Sequence, residues 1–404
     1  MPRVSVVIPT HNTANYIVQA VESVLNQTCR DFEVIVVDDG SSDNTHDVLT
    51  PYQDHIQYVW QENQERAVAR NHGLKLAQGE LIAFLDADDV WMPDKLSRQV
   101  ALLDEHPDAV LATVIARNIG PDGRRIKFWG SAYIAGEPEG PVEVQRHGPE
   151  ILFGSPLIPS AVMVRREALD RVGLFDTRAV PNEDWEMWIR LSGLGSFVYL
   201  SEVLCQYRTY GTPQELRRRT SDHIVATIAY VIEKSSASDP ERFPAVLRDQ
   251  ALANVYAYSA LASYEMSDVA RGHKMLERAI RLEPQLAQRE RITWLLEDHA
   301  RRILQDTGEE IRAVEFLTTI IGHLPSEIQS PRRGVRGVMG RVYMGDSFRA
   351  HSKGDRDTAR KAWWPGVRYD PAWLLNWGVL SMVVRTLVSR PATIGSQGND
   401  HAPS

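Results

Sequence analysis

The 404-residue chain reads as an α/β domain followed by an all-α region, and three observations predict this. Nearly continuous apolar runs alternate with helix-patterned stretches over the first hundred residues, polar clusters gather where those runs end, and the β signal stops near residue 215. The runs "VSVVIP" (4–9), "FEVIVVDD" (32–39), "IQYVWQ" (56–61) and "ELIAFLD" (80–86) lack the polar–apolar alternation of a half-exposed strand. They predict strands covered on both faces. Between them, "NYIVQAVESVLNQ", "NTHDVLTPY" and "RAVARNHGLKLAQG" repeat apolar residues three and four apart, as helices do. Strand and helix in alternation imply βαβ units and a mostly parallel sheet.

Residues 109–135 predict further strands, and "GEPEGPVE" (136–143) a Gly/Pro-rich loop. "SAVMVRREALDRVGLFD" is a strand running into a helix, "NEDWEMWIRLSGLG" a short helix, and "SFVYLSEVLCQYRTY" a closing strand. Farther on, 251–284 and 340–371 share the helix–turn–helix rhythm of a tetratricopeptide-type unit, ending in "LEP" and "YDP", whereas 285–330 fits it poorly. The expected division is 1–215 for the α/β domain, 216–390 for the helical region and 391–404 for a disordered polar tail. "WLLNWGVLSMVVRTLV" (373–388) is short for a membrane span and contains Arg385. It reads as an amphipathic helix, for packing on its neighbours or for lying on a bilayer surface.

Composition narrows the class. With 43% apolar and 24% charged residues the chain is globular, and a net charge of −8 argues against a general nucleic-acid binder. Cys29 and Cys205 lie far apart, so a disulfide framework is not expected. A reducing, cytoplasmic setting fits, and "MPRVSVVIPT" has no export-signal pattern.

Chemistry enters at the strand ends: "PTHN" after the first, "DDGSSDNT" after the second, "DADD" after the fourth. Ligands of open parallel sheets bind outside the carboxyl ends of the strands, so three clusters there suggest one shared site. Asp38 or Asp39 can accept hydrogen bonds from a base or ribose. Asp86 and Asp88, two apart on an extended segment, point the same way and can meet Mg²⁺ or Mn²⁺ beside diphosphate oxygens. Asp89 suits a cap. Glu183 and Asp184 stand at a helix start, where acids favour the dipole and where one can deprotonate a hydroxyl. Each cluster alone also fits a cap or a polar turn; their combination argues for a site.

Taken together, "VSVVIPTHN", "VIVVDDGSSDNT", "ARNHGLKLAQGELIAFLDADD" and "NEDWEMWIRL" resemble the inverting family 2 glycosyltransferases of the GT-A fold, over roughly residues 3–210. The resemblance implies a nucleotide-sugar donor, UDP-sugar foremost, held by Pro9, Thr10, Asn12 and Asp39 with Arg70 nearby. It implies Asp86 in the ribose or metal shell, Asp88 on the Mn²⁺ or Mg²⁺ that binds the diphosphate, and Asp184 as general base. The acceptor would be a glycan, a lipid-linked or a protein hydroxyl in polysaccharide or glycoconjugate synthesis. No nucleic acid is expected as partner. Further expectations are peripheral contact with the inner face of the membrane and a protein partner on the helical repeats.

Two places depart from the family pattern: Gln64 and Glu65, with Arg66 following, stand where Gly-Gly is common, and Tyr210 stands where a histidine often completes the metal shell. His223 is a substitute ligand or a plain surface histidine. Two other classes compete: a helical scaffold carrying a degenerate GT-A domain, and a nucleotidyltransferase. The second would have a Gly-rich basic loop after the first strand, which "PTHNTAN" is not. Arg217 to Arg219 and the arginines at 332–336 form either a solvated face or a contact for anionic lipid or a polyanionic acceptor.

Overall fold

A computed structural model describes residues 1–124, 142–154, 157–210 and 221–376. Most of the loop 136–143, Arg217 to Arg219, most of the amphipathic stretch 373–388 and the tail 391–404 lie outside the described residues. The chain forms two compact units, Met1–Ala262 with Arg281–Glu283, and Ser263–Ile280 with the described residues from Pro284 on.

The first unit is built on one nine-stranded sheet: β1 (Val4–Thr10), β2 (Phe32–Asp39), β3 (Gln57–Gln61), β4 (Leu81–Phe84), β5 (Val90–Trp91), β6 (Ala109–Ile119), β7 (Glu143–Gln145), β8 (Val162–Arg165) and β9 (Ser196–Arg208). The order is β3-β2-β1-β4-β8-β6-β9-β5, with β7 added beside β9. From β3 to β4 every pairing is parallel; β8 runs antiparallel between β4 and β6, and β6 and β9 are parallel. The sheet is therefore mixed and mostly parallel. β1 is buried along its whole length, which is why its sequence shows no alternation.

Helices α1 (Ile17–Leu25), α2 (Thr45–Leu49), α3 (Arg66–Leu76), α4 (Lys95–Glu105), α5 (Arg166–Val172), α6 (Glu183–Ser192), α7 (Asp222–Ser238) and α8 (Ala245–Glu265) follow in chain order. α3 lies so close to β1 that a Cβ on Gly73 would come within 2.4 Å of Val7 Cγ1. The glycine lets the helix approach the sheet and fixes the height of Arg70, one turn earlier. Parallel register puts Thr10 beside Asp38 and Val7 beside Phe84, so the polar clusters after β1, β2 and β4 share one edge.

Two strands escape a periodicity reading because they are too short: β5 has two residues and β7 three. The helical region is present as expected, with α9 (Val269–Leu282), α10 (Arg289–Thr307), α11 (Glu310–Gly322), α12 (Gly334–Ser352) and α13 (Arg356–Tyr369). The two rhythmic segments fold as α8–α9 and α12–α13. The stretch that fits the rhythm poorly, 285–330, is itself helical, as α10 and α11. Among the described residues no helix is long and apolar enough to cross a membrane.

Candidate active site

The β1 and β2 loops are latched to one another. Asn12, at φ +53°, accepts at Oδ1 from the backbone N–H groups of Ser42 and Asp43, and its own N–H donates to Ser41 Oγ. His11 Nδ1 meets the Asp39 carbonyl at 2.8 Å. Thr10 is buried with Oγ1 against Thr13 Oγ1, and Pro9 is buried inside β1. These residues shape the loop more than they offer free groups: the Asn12 carbonyl oxygen is already engaged, and Pro9 has no N–H to give.

The two acids ending β2 differ in what they leave unused. Asp38 accepts at one oxygen from the Ser41 N–H (2.8 Å) and at the other from Tyr58 Oη (2.6 Å), so it serves the fold. Asp39 gathers both of its bonds, from Gln61 Nε2 (2.7 Å) and the Gln64 N–H (2.9 Å), on Oδ1. Oδ2 has no hydrogen bond among the described residues. The residue after Gln64, Glu65, holds φ +74° and ψ 158°, a region that glycine occupies readily and other residues at about 1–3 kcal/mol. The sequence departure at "QENQER" is thus a locally strained backbone in the same turn.

At the end of β4 the three carboxylates divide. Asp89 is fully buried and holds no free oxygen: Ser160 Oγ donates to Oδ2 and the Arg208 N–H to Oδ1 at 2.8 Å. Asp88 is partly exposed and accepts from Tyr210 Oη at 2.9 Å through Oδ2. Burial first, and then the charge of Asp86, pushes its pKa up. Tyr210 packs edge-on against Tyr16, with ring centroids 6.3 Å apart, and the guanidinium of Arg208 lies 4.6 Å from the centre of the Tyr16 ring. Tyr210 therefore occupies the position where a histidine was a candidate ligand, while His223 is exposed on α7.

Arg70 joins this loop to α6. Only 2% exposed, it donates through Nη2 to Asp86 Oδ1 (2.5 Å) and through Nη1 to Glu183 Oε1 (2.6 Å). Its guanidinium also faces the Phe175 ring at 5.8 Å. The next residue, Asn71, clasps Phe175 by donating to its carbonyl and accepting from its N–H, which fixes the loop ahead of α6. Below lie Phe84, Phe175 and the fully buried Trp188, packed ring to ring. Arg70 Nε and Glu183 Oε2 are buried without a hydrogen bond.

Asp184 is partly exposed beside that bridge. Burial and then the Glu183 charge push its pKa up to about 7, against the opposing pull of Arg70. A carboxylate at that value is poised to take a proton near neutral pH. α6 is braced from behind, where Lys234 on α7 donates to Asp176 and Glu186, each at 2.7 Å, and Arg190 pairs with Glu186.

The structure thus brings Asp39, Arg70, Asp86, Asp88 and Asp184 to one edge of the sheet. Sequence reasoning missed the partners that hold them: Glu183 as the Arg70 counter-ion, Ser160 and Arg208 on Asp89, and Gln61 on Asp39. The donor set suits a hard divalent cation. Asp88 Oδ1 has no hydrogen bond among the described residues, and Asp86 and Asp88 crowd like charges that a cation would neutralise. Among the described residues no group of three or more His, Cys, Asp or Glu gathers to hold a metal, so two carboxylates would share the ion with phosphate and water.

The sequence pattern of glycosyl transferase family 2 matches residues 5–173. A Bacillus subtilis glycosyltransferase, TuaG, provisionally assigned to teichuronic acid biosynthesis, is 33% identical over 219 residues, covering 51% of this chain and 79% of that protein. The chain belongs to glycosyl transferase family 2. An uncharacterised glycosyltransferase of Rickettsia bellii is 32% identical over 52% of this chain, but the match spans only 29% of that longer protein. Among solved structures, Staphylococcus aureus TarS 1-349 in complex with UDP-GlcNAc is similar at 18% identity and a TM-score of 0.48, over 89% of this chain and 90% of that one. The mannosyltransferase PcManGT of Pyrobaculum calidifontis, solved with GDP-Man and Mn²⁺, is similar at 20% identity and a TM-score of 0.48, over 80% and 87%. The first unit is accordingly a GT-A domain, and a helical region follows it.

Proposed function

We propose that the chain is a metal-dependent, inverting glycosyltransferase that moves a sugar from a nucleotide-sugar donor, UDP-sugar foremost, to an acceptor hydroxyl. The observation that carries this reading is the bridge Asp86–Arg70–Glu183, which sets a carboxylate with a pKa of about 7, Asp184, beside the acids that face the donor. The free oxygen of Asp39 accepts from the nucleotide, and the latched loops of β1 and β2, with Pro9, Thr10 and Asn12, form the wall of its pocket. Asp88 and Asp86 would hold Mn²⁺ or Mg²⁺, which would supply charge stabilisation for the departing diphosphate. Asp184 removes the acceptor proton as the oxygen attacks the anomeric carbon from the face opposite the leaving group, so configuration inverts with no covalent intermediate.

Residues 1–215 are read as the catalytic segment, 216–390 as a helical, tetratricopeptide-like accessory region and 391–404 as a tail. The relative from Bacillus supports an acceptor in a glycan of the teichuronic acid type. Purified chain with Mn²⁺, offered UDP-, GDP- and dTDP-sugars and read by nucleotide release, turns over one of them. Absence of turnover and of metal-dependent nucleotide binding across the panel leaves a scaffold instead.

A further inference from the structure

Charge is distributed unevenly along the chain. Residues 332–368 carry ten Arg or Lys against three Asp, a net of +7 inside a chain whose net is −8. Within that stretch α13 turns one face to water: Asp357, Arg360, Lys361, Trp364 and Arg368 are all exposed and fall at helical spacings of three, four, seven and eleven. Trp364, 63% exposed, stands in the middle of this face with cations before and after it. Arg360, Lys361 and Arg368 enter no ion pair among the described residues. Arg336 on α12 donates to the Arg368 carbonyl, which brings a further exposed cation to the end of the same face.

We infer that this face of α13 docks on an anionic phospholipid surface. Cations near such a surface are each drawn to it, and an indole ring settles at the boundary between headgroups and acyl chains. A soluble polyphosphate would use the arginines and leave the tryptophan idle, and the chain's net charge of −8 argues against nucleic acid. The exposed Leu374 and Leu375 that follow α13 supply further apolar area in the same unit. The rest of the chain carries the opposite net charge, so taken as a whole it is repelled by the same surface. The inference stands apart from the sugar-transfer reading and survives or fails without it.

The test is co-sedimentation of the full chain with vesicles of phosphatidylcholine alone and of phosphatidylcholine with phosphatidylglycerol, at low and high salt. The expected result is binding to the anionic vesicles that exceeds binding to the neutral ones by about tenfold or more and is lost at high salt. The double variant Arg360→Glu, Lys361→Glu abolishes it and Trp364→Ser weakens it several-fold, both with unchanged circular dichroism. Equal binding to the two vesicle types, no binding at low salt, or retention of binding in the charge-reversed variant overturns the inference. So does binding to soluble polyphosphate or RNA in the absence of binding to vesicles. The salt dependence of the unaltered chain decides the matter even where a variant fails to fold.

Discussion

The acid loop after β4 and the start of α6 each place two adjacent carboxylates at one edge of the sheet, and each assigns the pair the same way. One acid is buried and consumed by the fold, Asp89 in the loop and Glu183 in the helix; its neighbour, Asp88 or Asp184, is partly exposed. What differs is the donor that keeps the buried acid in place. Asp89 is held by a hydroxyl and a backbone N–H, neutral groups that leave its charge uncompensated, so its pKa is raised by burial and by Asp88. Glu183 is held by a guanidinium shared with Asp86. In the proposed mechanism the first arrangement lies beside the cation, and the second trims the charge around the proton acceptor.

Substitutions can break this comparison at each corner. Asp184→Asn has the largest expected effect, a fall in kcat of about 10²–10⁴-fold with nucleotide binding retained, because only the proton acceptor is lost. Asp88→Asn lowers turnover by a similar order but also removes metal-dependent nucleotide binding, measured by calorimetry with and without Mn²⁺. Unchanged metal dependence in that variant would place the cation elsewhere. Arg70→Met leaves the buried Glu183 and the partly exposed Asp86 without their cation and destabilises the domain by about 3 kcal/mol, read as a shift of the urea midpoint.

pH sharpens the contrast. As the proposed base, Asp184 acts when deprotonated, so kcat is expected to rise with pH through about 7. Glu183→Gln removes a neighbouring negative charge and frees Arg70 to act on Asp184; both changes lower its pKa, and the acid limb of the profile moves to lower pH. Asp89→Asn keeps one acceptor for Ser160 or Arg208 and reduces transfer less than Asp88→Asn does. The smallest effect has the opposite sign: Glu65→Gly relieves the positive-φ strain and raises stability by about 1 kcal/mol in the same urea assay.

Much of this site was legible in the sequence because strand ends announce themselves. An apolar run stopped by Asp39 or Asp86 fixes which residues reach the carboxyl edge, and the helical start at Asn182 marks Asp184. The bridge was not legible, since Arg70 meets Asp86 sixteen residues away and Glu183 one hundred and thirteen away, and no local pattern encodes which distant acid a buried arginine selects. Neither was the use of Tyr210, because a phenol that donates to Asp88 and a tyrosine that merely ends a strand read alike. Residues 285–330 departed from the repeat rhythm yet still formed helices, as amphipathic spacing suffices for a helix without any repeat.

The guanidinium of Arg70 also restricts how this domain can be re-engineered. The acid loop after β4, α3 and α6 come from three separate stretches of chain, yet one side chain stitches them into a single unit. A chimera that imports the loop around Asp86 or the start of α6 from a relative, without the matching arginine helix, would strand a buried charge on one side of the seam. The trio has to be exchanged as a set, so exchanges meant to change donor or acceptor preference belong in the loops outside it.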